Sequence, residues 1–389
     1  MVVVFARGFV VGMIDSLFAD HIHYNSGHVK IVQEEYHNQK RLMPLDQPVD
    51  GYNGQGLNKM IDNLDDIEDV KMVLPRLKFG AMVSTEKELV TMNGWGVNPE
   101  KEVTFTNIDD SLAEGRMVTP GQREVVMGKK LLQKIDRNVG DKVTILYNTS
   151  FNSLKGATFK IVGRIESGLK MLDEMVFYLP IDQAQHLLYM DGQATELIMV
   201  GSHRSMADKI EPRVESLISQ SGGGNKYLTL HYKETSDLIP YMEIAKLIYN
   251  QIYIFIVILA SIVVINTMIM IVKERTKEIG MMSALGLERK SILKLFVIEG
   301  GIMGVIGSLA GAIFGGLLNG YLADVGINFG SAMEGISSDV MMSSTIYPVS
   351  SPENTIFAFV LGVIIVAIAS IIPARQAAKL EPTEAMRDW

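Results

Sequence analysis

The residues of this chain that could perform chemistry do not form a recognisable catalytic motif. The nearest approach to a phosphate-binding loop is Gly128-Lys129-Lys130, which lacks the first glycine at the required spacing and the final hydroxyl. The sequence contains no Gly-x-Ser-x-Gly elbow, no His-Glu-x-x-His motif and no cysteine. It therefore predicts no catalytic residue and no binding of ATP through such a loop.

A group of histidines near the start of the chain suggests a metal site as one interpretation. The group consists of His21, His23, His28 and His37. Their spacing matches no standard ligand pattern, and histidines at a surface ordinarily contact water or polar neighbours. We therefore expect neither a metal nor a cofactor in this chain.

Small residues recur every fourth position in one apolar segment and suggest close packing of helices. They are Gly300, Gly304, Ser308, Ala312, Gly316 and Gly320. A helix face with almost no side chains lets another backbone approach closely, so this face predicts an interface with another helix or another subunit. The alternative is that glycine is simply common in membrane helices.

The elements that carry these residues are membrane segments. Residues 248–272 run for 25 positions without a charged side chain. Residues 295–322 contain one charged residue, Glu299, near their start, and residues 355–372 contain none. Each is long enough for a transmembrane helix, and Pro373 predicts the end of the last one. The net charge of −8 disfavours a general nucleic-acid binder.

The distribution of basic residues predicts the orientation. The loop 273–294 and the tail 373–389 carry Lys and Arg, whereas the loop 323–354 carries none. Lysine and arginine next to short membrane segments stay in the cytoplasm. We therefore expect the loop 273–294 and the tail 373–389 in the cytoplasm and the loop 323–354 outside.

The region before residue 248 must then lie outside and needs its own anchor. Residues 1–18 are the candidate, as a first transmembrane helix whose cytoplasmic beginning is missing; they lack the basic flank that usually precedes such a start. A cleaved signal peptide is the competing interpretation, but Arg7 interrupts the apolar stretch and no small-residue cleavage motif follows.

Residues 19–240 alternate strand and helix patterns typical of a large α+β domain. Both ends carry β-α-β patterns, and the piece from about 100 to 190 is richer in strands. We therefore predict an α+β membrane protein whose extracytoplasmic domain is built from both ends, with a mostly β subdomain inserted between them.

Two cytoplasmic stretches carry a family resemblance. Residues 274–286, Glu-Arg-Thr-Lys-Glu-Ile-Gly-Met-Met-Ser-Ala-Leu-Gly, resemble the signature of FtsX-like ABC-transporter permeases. Residues 373–378, followed by Glu381-Pro382 and Ala385-Met386-Arg387, look like the closing motif of that family. Residues 138–144 resemble the outer domain of its lipoprotein-releasing and macrolide-exporter branches.

The resemblance implies a multi-pass inner-membrane permease with four membrane helices and a large outer domain between the first two. It implies that the chain forms a homo- or heterodimer with a second permease subunit. It also implies a separate ABC ATPase subunit, which carries ATP and Mg²⁺. A periplasmic carrier or an outer-membrane factor is a further candidate partner. The hairpin between Tyr147 and Ala157 is, however, shorter than the carrier-binding loop of the lipoprotein-releasing permeases.

In this family the first cytoplasmic loop contacts the ATPase, so the resemblance marks a set of coupling residues here: Arg275, Glu278, Ile279, Gly280, Met282, Leu285 and Gly286. The residues themselves agree, because Ile279, Met282 and Leu285 fall on one helical face. Gly286 can end that helix in the left-handed conformation. An amphipathic helix of this kind suits a groove on a partner, and the alternative is a helix lying on the lipid surface.

Two functions fit this sequence. One is a transport subunit that couples ATP hydrolysis to lipoprotein release or to export of an amphiphilic substrate. The other is a permease that transports nothing and signals to a cell-wall hydrolase or a sensor kinase.

Overall fold

The structure is a computed structural model. It describes residues 1–52, 54–85, 88–224, 226–236, 239–330, 341 and 343–379. Contacts divide the chain into a membrane unit (1–15, 241–327 and 346–389) and an outer domain (16–240 and 328–345).

The α-helices are α1 (Val2–His21), α2 (Glu34–Asn38), α3 (Leu57–Asp65), α4 (Pro99–Thr106), α5 (Lys129–Lys134), α6 (Lys170–Glu174), α7 (Ile181–Leu188), α8 (Ala207–Gln220), α9 (Ile239–Glu274), α10 (Thr276–Ala284), α11 (Arg289–Val325) and α12 (Pro352–Ala378). The strands are β1 (Val29–Gln33), β2 (Gly51–Tyr52), β3 (Gln55–Gly56), β4 (Met72–Ser84), β5 (Leu89–Val97), β6 (Leu112–Gly115), β7 (Glu124–Gly128), β8 (Lys142–Asn148), β9 (Leu154–Ile165), β10 (Val176–Pro180), β11 (Glu196–Val200), β12 (Tyr227–His231), β13 (Ile327–Asn328) and β14 (Thr345–Ile346).

Four helices in the described part of the chain are long and apolar enough to cross a membrane: α1, α9, α11 and α12. The first of these spans continues through a π-helical turn to Ser26. The helices α9 and α11 extend beyond the predicted apolar segments at both ends, because a helix that crosses a bilayer can continue into water at either side.

The prediction that Pro373 ends the last helix is wrong. The helix α12 continues through this proline to Ala378. A proline inside a helix removes one backbone hydrogen bond and crowds the preceding turn. Here Ala374, Ala377 and Ala378 are buried in an apolar cluster, and this packing holds the last turn in helical form.

The outer domain is organised around one sheet. Among the described residues it has ten strands, in the order β12-β1-β11-β4-β5-β10-β7-β9-β6, and β8 pairs with β4 and β9. Most pairs are antiparallel, but β5 with β10 and β7 with β9 are parallel. Helices α3 and α8 cover one apolar core, and α5 and α7 cover another.

The long strand β4 joins the two halves of this domain. Its first residues, Met72 to Arg76, pair with β11, and the stretch from Arg76 to Ser84 pairs with β5. The strand is continuous through Pro75. The core of the middle piece includes residues of β4 and β5, so this piece begins before residue 100 and shares its sheet with the ends.

Charged side chains are buried in a group of two and a group of three around β1, β4 and β11. Arg76 and Glu102 form a two-pronged pair with N···O distances of 2.5 and 3.1 Å. Lys30 and Lys78 share the carboxylate of Glu196, each with its Nζ 2.9 Å from one oxygen. Burial alone raises the pKa of Glu196, but the attraction of the two ammonium groups outweighs it and lowers that pKa to about 2.

Candidate coupling site beside the membrane helices

The residues of the 274–286 motif form a short helix between two membrane helices. The helix α10 follows α9 directly, and α11 begins at Arg289 after a turn. Gly286 has a φ of +91°, in the region that favours glycine. The backbone N–H groups of Gly286 and Leu287 donate to the carbonyls of Ser283 and Met282, both at 3.1 Å. The predicted left-handed end of this helix is therefore confirmed.

One face of α10 is buried against the helices of the same unit. Ile279 is fully buried in an apolar cluster with Val272 of α9, Phe296 of α11 and Ala374 of α12. Met282 is partly buried and packs against the same cluster. The cluster thus brings together the two stretches that carry the family resemblance, 274–286 and 373–378.

An ion pair at the start of α10 ties the loop to the next membrane helix. The guanidinium of Arg275 donates to Oε1 of Glu299 at 3.1 Å. Both side chains are partly exposed, so the pair contributes little to stability, but it fixes the direction in which Arg275 points. Arg275 therefore contacts its own chain, as does Glu299 near the start of the second apolar segment.

The opposite face of α10 is exposed, and its residues differ from the predicted stripe. Ile279 is 0% exposed, Met281 54% and Leu285 85%. The prediction that Ile279, Met282 and Leu285 together face a partner therefore needs correction, because Ile279 contacts the chain's own helices. Glu278, Met281 and Leu285 are exposed at a spacing of three and four residues, and we call these three the exposed edge.

The predicted small-residue face lies on α11 and contacts α12 of the same chain. A Cβ added at Gly300 would lie 2.5 Å from Cβ of Ser370, and one at Gly304 would lie 2.9 Å from Cβ of Val366. Ser308 lies against Gly362 of α12 in the same way. Their role in an interface between subunits stays a prediction.

The last positions of this face pack less tightly. Ala312 is still buried. At Gly316, however, an added Cβ would make only an ordinary contact with Thr355, at 3.6 Å. Gly315, one position earlier, would meet Val4 of α1 at 2.8 Å. The helix α11 therefore presents small residues to both α1 and α12.

The histidines near the start of the chain contact separate protein groups. The Nε2 atoms of His21 and His23 lie 2.6 Å from Thr235 Oγ1 and 2.9 Å from the Thr106 carbonyl, and His28 Nδ1 accepts from the Gly201 N–H. Across the residues that the structure describes, no three His, Cys, Asp or Glu side chains are grouped to hold a metal ion.

Sequence models of known families match both halves of the chain. One, described as the MacB-like periplasmic core domain, matches residues 1–216, and another, described as the FtsX-like permease C-terminal, matches residues 250–382. The chain belongs to the FtsX-like permeases with a MacB-like periplasmic core. This permease is an ABC transporter permease of the LolC and MacB type, a multi-pass protein of the inner membrane whose large domain is extracytoplasmic.

Two named relatives illustrate the range of this type. The lipoprotein-releasing system transmembrane protein LolC of Xylella fastidiosa strain Temecula1 is 22% identical to the permease over 326 residues, which is 80% of this chain and 76% of that one. The macrolide export ATP-binding/permease protein MacB of Agrobacterium fabrum is 28% identical over 178 residues, which is 46% of this chain and 25% of that one. Among solved structures, the periplasmic region of MacB from Actinobacillus actinomycetemcomitans covers 55% of this chain and 92% of its own, with 13% identity and a TM-score of 0.37.

Several residues of the predicted motifs lie outside the described part of the permease. These are Glu381, Pro382, Ala385, Met386 and Arg387 of the closing motif.

The buried charges of the outer domain were not predicted from the sequence. The signal that could have found them is the alternation in β4, where Arg76 and Lys78 stand on one face of an otherwise apolar strand. Charged residues two apart in such a strand require buried partners.

Proposed function

We propose that this permease couples ATP hydrolysis by a separate ABC ATPase subunit to a conformational change of its extracytoplasmic domain. We propose that the ATPase binds at the exposed edge of α10. The observation that carries the proposal is the division of α10 into two faces. Its buried face packs on α9, α11 and α12, so a force applied to the helix reaches three membrane helices through one apolar cluster. Its exposed edge offers two large apolar side chains and one carboxylate to a partner.

The exposed edge has the composition of a docking surface. Met281 and Leu285 are large apolar side chains held in the open, although burial in a partner would stabilise them. Glu278 stands one turn before Met281 and can pair with a cation on that partner. Since Ile279 is buried within its own chain, the docking contact has two apolar side chains where the predicted stripe has three, and it depends more on Glu278 and Leu285.

We further propose that the substrate is a lipoprotein or another amphiphile taken from the outer leaflet. A relative that matches 80% of this chain is named for lipoprotein release, and a MacB relative is named for macrolide export. Both names describe work on an amphiphilic or apolar molecule. In this chain the hairpin between β8 and β9 is tight, with only residues 149–153 between the strands, so a carrier would have to bind elsewhere or on the second permease subunit.

The proposal is tested by Glu278→Lys in the permease co-expressed with its ATPase. Reversing this charge removes an attraction and adds a repulsion, at a cost of about 2–5 kcal/mol or roughly 30- to 5000-fold in affinity. We expect normal insertion and expression but lost co-purification of the ATPase. The matched control is Glu215→Lys on an exposed face of α8 in the outer domain, which should leave co-purification unchanged.

The same preparation separates transport from signalling. A transport subunit should show ATP hydrolysis stimulated by an acylated lipoprotein and not by its unacylated form. Wild-type association and wild-type stimulated hydrolysis in Glu278→Lys would refute docking at the exposed edge.

A further inference from the structure

The outer domain contains a cavity that the coupling mechanism does not use. It has a volume of about 740 Å³, and residues of β1, β4, β5, β8, β11 and β12 and of the segments after β1 and β9 line it. This volume lies in the range of roughly 300–1,000 Å³ typical of small-molecule sites. The cavity is large enough for an organic molecule with an apolar body.

Much of the wall is apolar and adaptable. Four methionines line it, namely Met43, Met82, Met171 and Met175, while the side chain of Met92 is buried in the core under α5 and α7. Methionine is unbranched and polarisable, and surfaces rich in it accept apolar groups of varied shape. The wall therefore suits a flexible apolar chain more than a rigid, uniquely shaped ligand.

The charged residues of the lining carry more positive than negative charge. Lys30, Lys78 and Glu196 all line it, and each side chain is at least nine-tenths buried. One carboxylate thus serves two ammonium groups. Lys40 and Arg41 also line the cavity, which gives its lining a formal charge of +3 in a chain whose net charge is −8.

An excess buried cation is costly unless an anion accompanies it. Lys78 Nζ lies 2.6 Å from Asn25 Oδ1 and 4.4 Å from the ring centre of Trp95, and both contacts favour its charged form. Neither of them supplies the negative charge that the second ammonium group lacks.

We propose that this cavity binds a single-chain anionic amphiphile, with its carboxylate or phosphate head at Lys30 and Lys78 and its apolar body along the methionine wall. The head supplies the second negative charge for the two lysines. That such a molecule is transport substrate rests on the function proposed above; the binding itself does not.

The direction of the pKa shift of Lys78 agrees with this assignment. Burial lowers the pKa of its ammonium group to about 7, although Glu196 acts in the opposite direction. A second anion beside Lys78 would favour the charged form.

The protein provides its own reporter for a binding experiment. The chain has two tryptophans, Trp95 and Trp389, and Trp95 lines the cavity. In the full chain carrying Trp389→Phe, reconstituted in phosphatidylcholine nanodiscs, energy transfer from Trp95 to dansyl-labelled undecanoic acid measures binding. The methyl ester of the same probe has the same body without the charge, and binding of each probe is compared at its measured free concentration.

We expect saturable transfer to the acid, with at least about ten-fold weaker binding of the ester, since hydrogen bonds to charged groups are the stronger ones. Lys78→Met should weaken binding of the acid by the same factor and leave the ester unchanged. This variant leaves Lys30 and Glu196 as a one-to-one pair, so the fold should persist.

A second variant tests the cavity without touching the charges. Gly80 lines the cavity, and a Cβ added there meets no atom within 4 Å, so Gly80→Phe has room to begin its side chain and places a ring in this space. It should abolish transfer to both probes. The matched control is Gly56→Phe, at a position that is equally open but lies outside the cavity, and it should bind as the wild type does.

Equal binding of acid and ester, or unchanged binding in Gly80→Phe, would overturn the proposal. Glu278→Lys, which disrupts the proposed ATPase contact, should bind the acid normally. A failure of the cavity proposal and a failure of the coupling proposal therefore give different results.

Discussion

The outer domain and the membrane unit are stabilised by different kinds of close contact. In the outer domain, Arg76 and Glu102 are buried as a pair, and Lys30 and Lys78 share Glu196. In the membrane unit, Gly300 and Gly304 contact α12 closely, because their missing side chains let the backbones approach. Water drives apolar burial in the first region, whereas in lipid only close packing and polar contacts distinguish one helix partner from another.

The difference predicts which substitutions each region tolerates. The outer domain should suffer most from the loss of one partner of a buried pair. The membrane unit should suffer most from an added side chain.

The largest effect is expected for Glu102→Gln. It leaves the guanidinium of Arg76, which is fully buried, without its counter-charge, and should lower the free energy of unfolding of the outer domain by about 3–5 kcal/mol. Thermal unfolding followed by circular dichroism of the purified chain measures this loss.

The control for that variant is a pair at the surface. Arg116 and Glu124 are bonded with similar geometry, but Arg116 is half exposed, so Glu124→Gln should cost no more than about 1 kcal/mol. If both variants lose the same stability, burial of the pair is not what makes it matter.

A smaller effect is expected for Gly304→Leu in the membrane unit. The new side chain would overlap Val366 and push α11 away from α12. This should lower the free energy of unfolding of the membrane unit by about 1–3 kcal/mol. Gly301→Leu is the matched control on the same helix, because a Cβ there meets no atom within 4 Å. The melting temperature of each variant in detergent provides the comparison.

The same two variants address the subunit interface. If Gly301→Leu lowers the yield of dimer while its melting temperature stays unchanged, the second subunit contacts the open face of α11. If Gly304→Leu alone lowers the yield of dimer, the small-residue face contacts both α12 and the second subunit. Equal melting temperatures for the two variants would contradict tight packing of α11 on α12.

The membrane helices could be predicted because their signal is local. A run of uncharged apolar residues as long as 248–272 is by itself typical of a helix that crosses a bilayer. The end of α12 could not be predicted, since the effect of Pro373 on its own helix is opposed by the packing of Ala374 and Ala377 against other helices.

Strands at both ends of the domain and in the strand-rich middle piece could be predicted, but the strand β5 could not. The strand β5 contains Asn93, Gly94 and Gly96, which in a sequence indicate a turn. In the structure these glycines make room for neighbours: a Cβ at Gly94 would lie 2.3 Å from Phe79, and one at Gly96 would lie 2.5 Å from Ala184. Phe79 and Ala184 reach these glycines only once the sheet has formed. No local sequence pattern therefore reveals why glycine stands in this strand.

The coupling helix shows the same limit within the candidate site. Helical periodicity identifies the apolar side of α10, but it does not tell which partner covers that side. Ile279 is covered by the chain itself, and only Leu285 of the predicted stripe is left open. Met281, which the stripe omits, belongs to the exposed edge instead.

The central claim is that the exposed edge of α10 is the surface on which the ATPase binds, and protection from labelling tests it most directly. The chain has no cysteine, so Leu285→Cys creates a single thiol at the more exposed of the two apolar residues of the edge. Its rate of reaction with a maleimide is measured in nanodiscs with and without saturating ATPase. Ser216→Cys, on the exposed side of α8, is the control thiol. We predict that the ATPase slows labelling at position 285 and leaves labelling at position 216 unchanged. Equal labelling of position 285 in the free chain and in the complex, with the ATPase shown to be bound, would contradict the account.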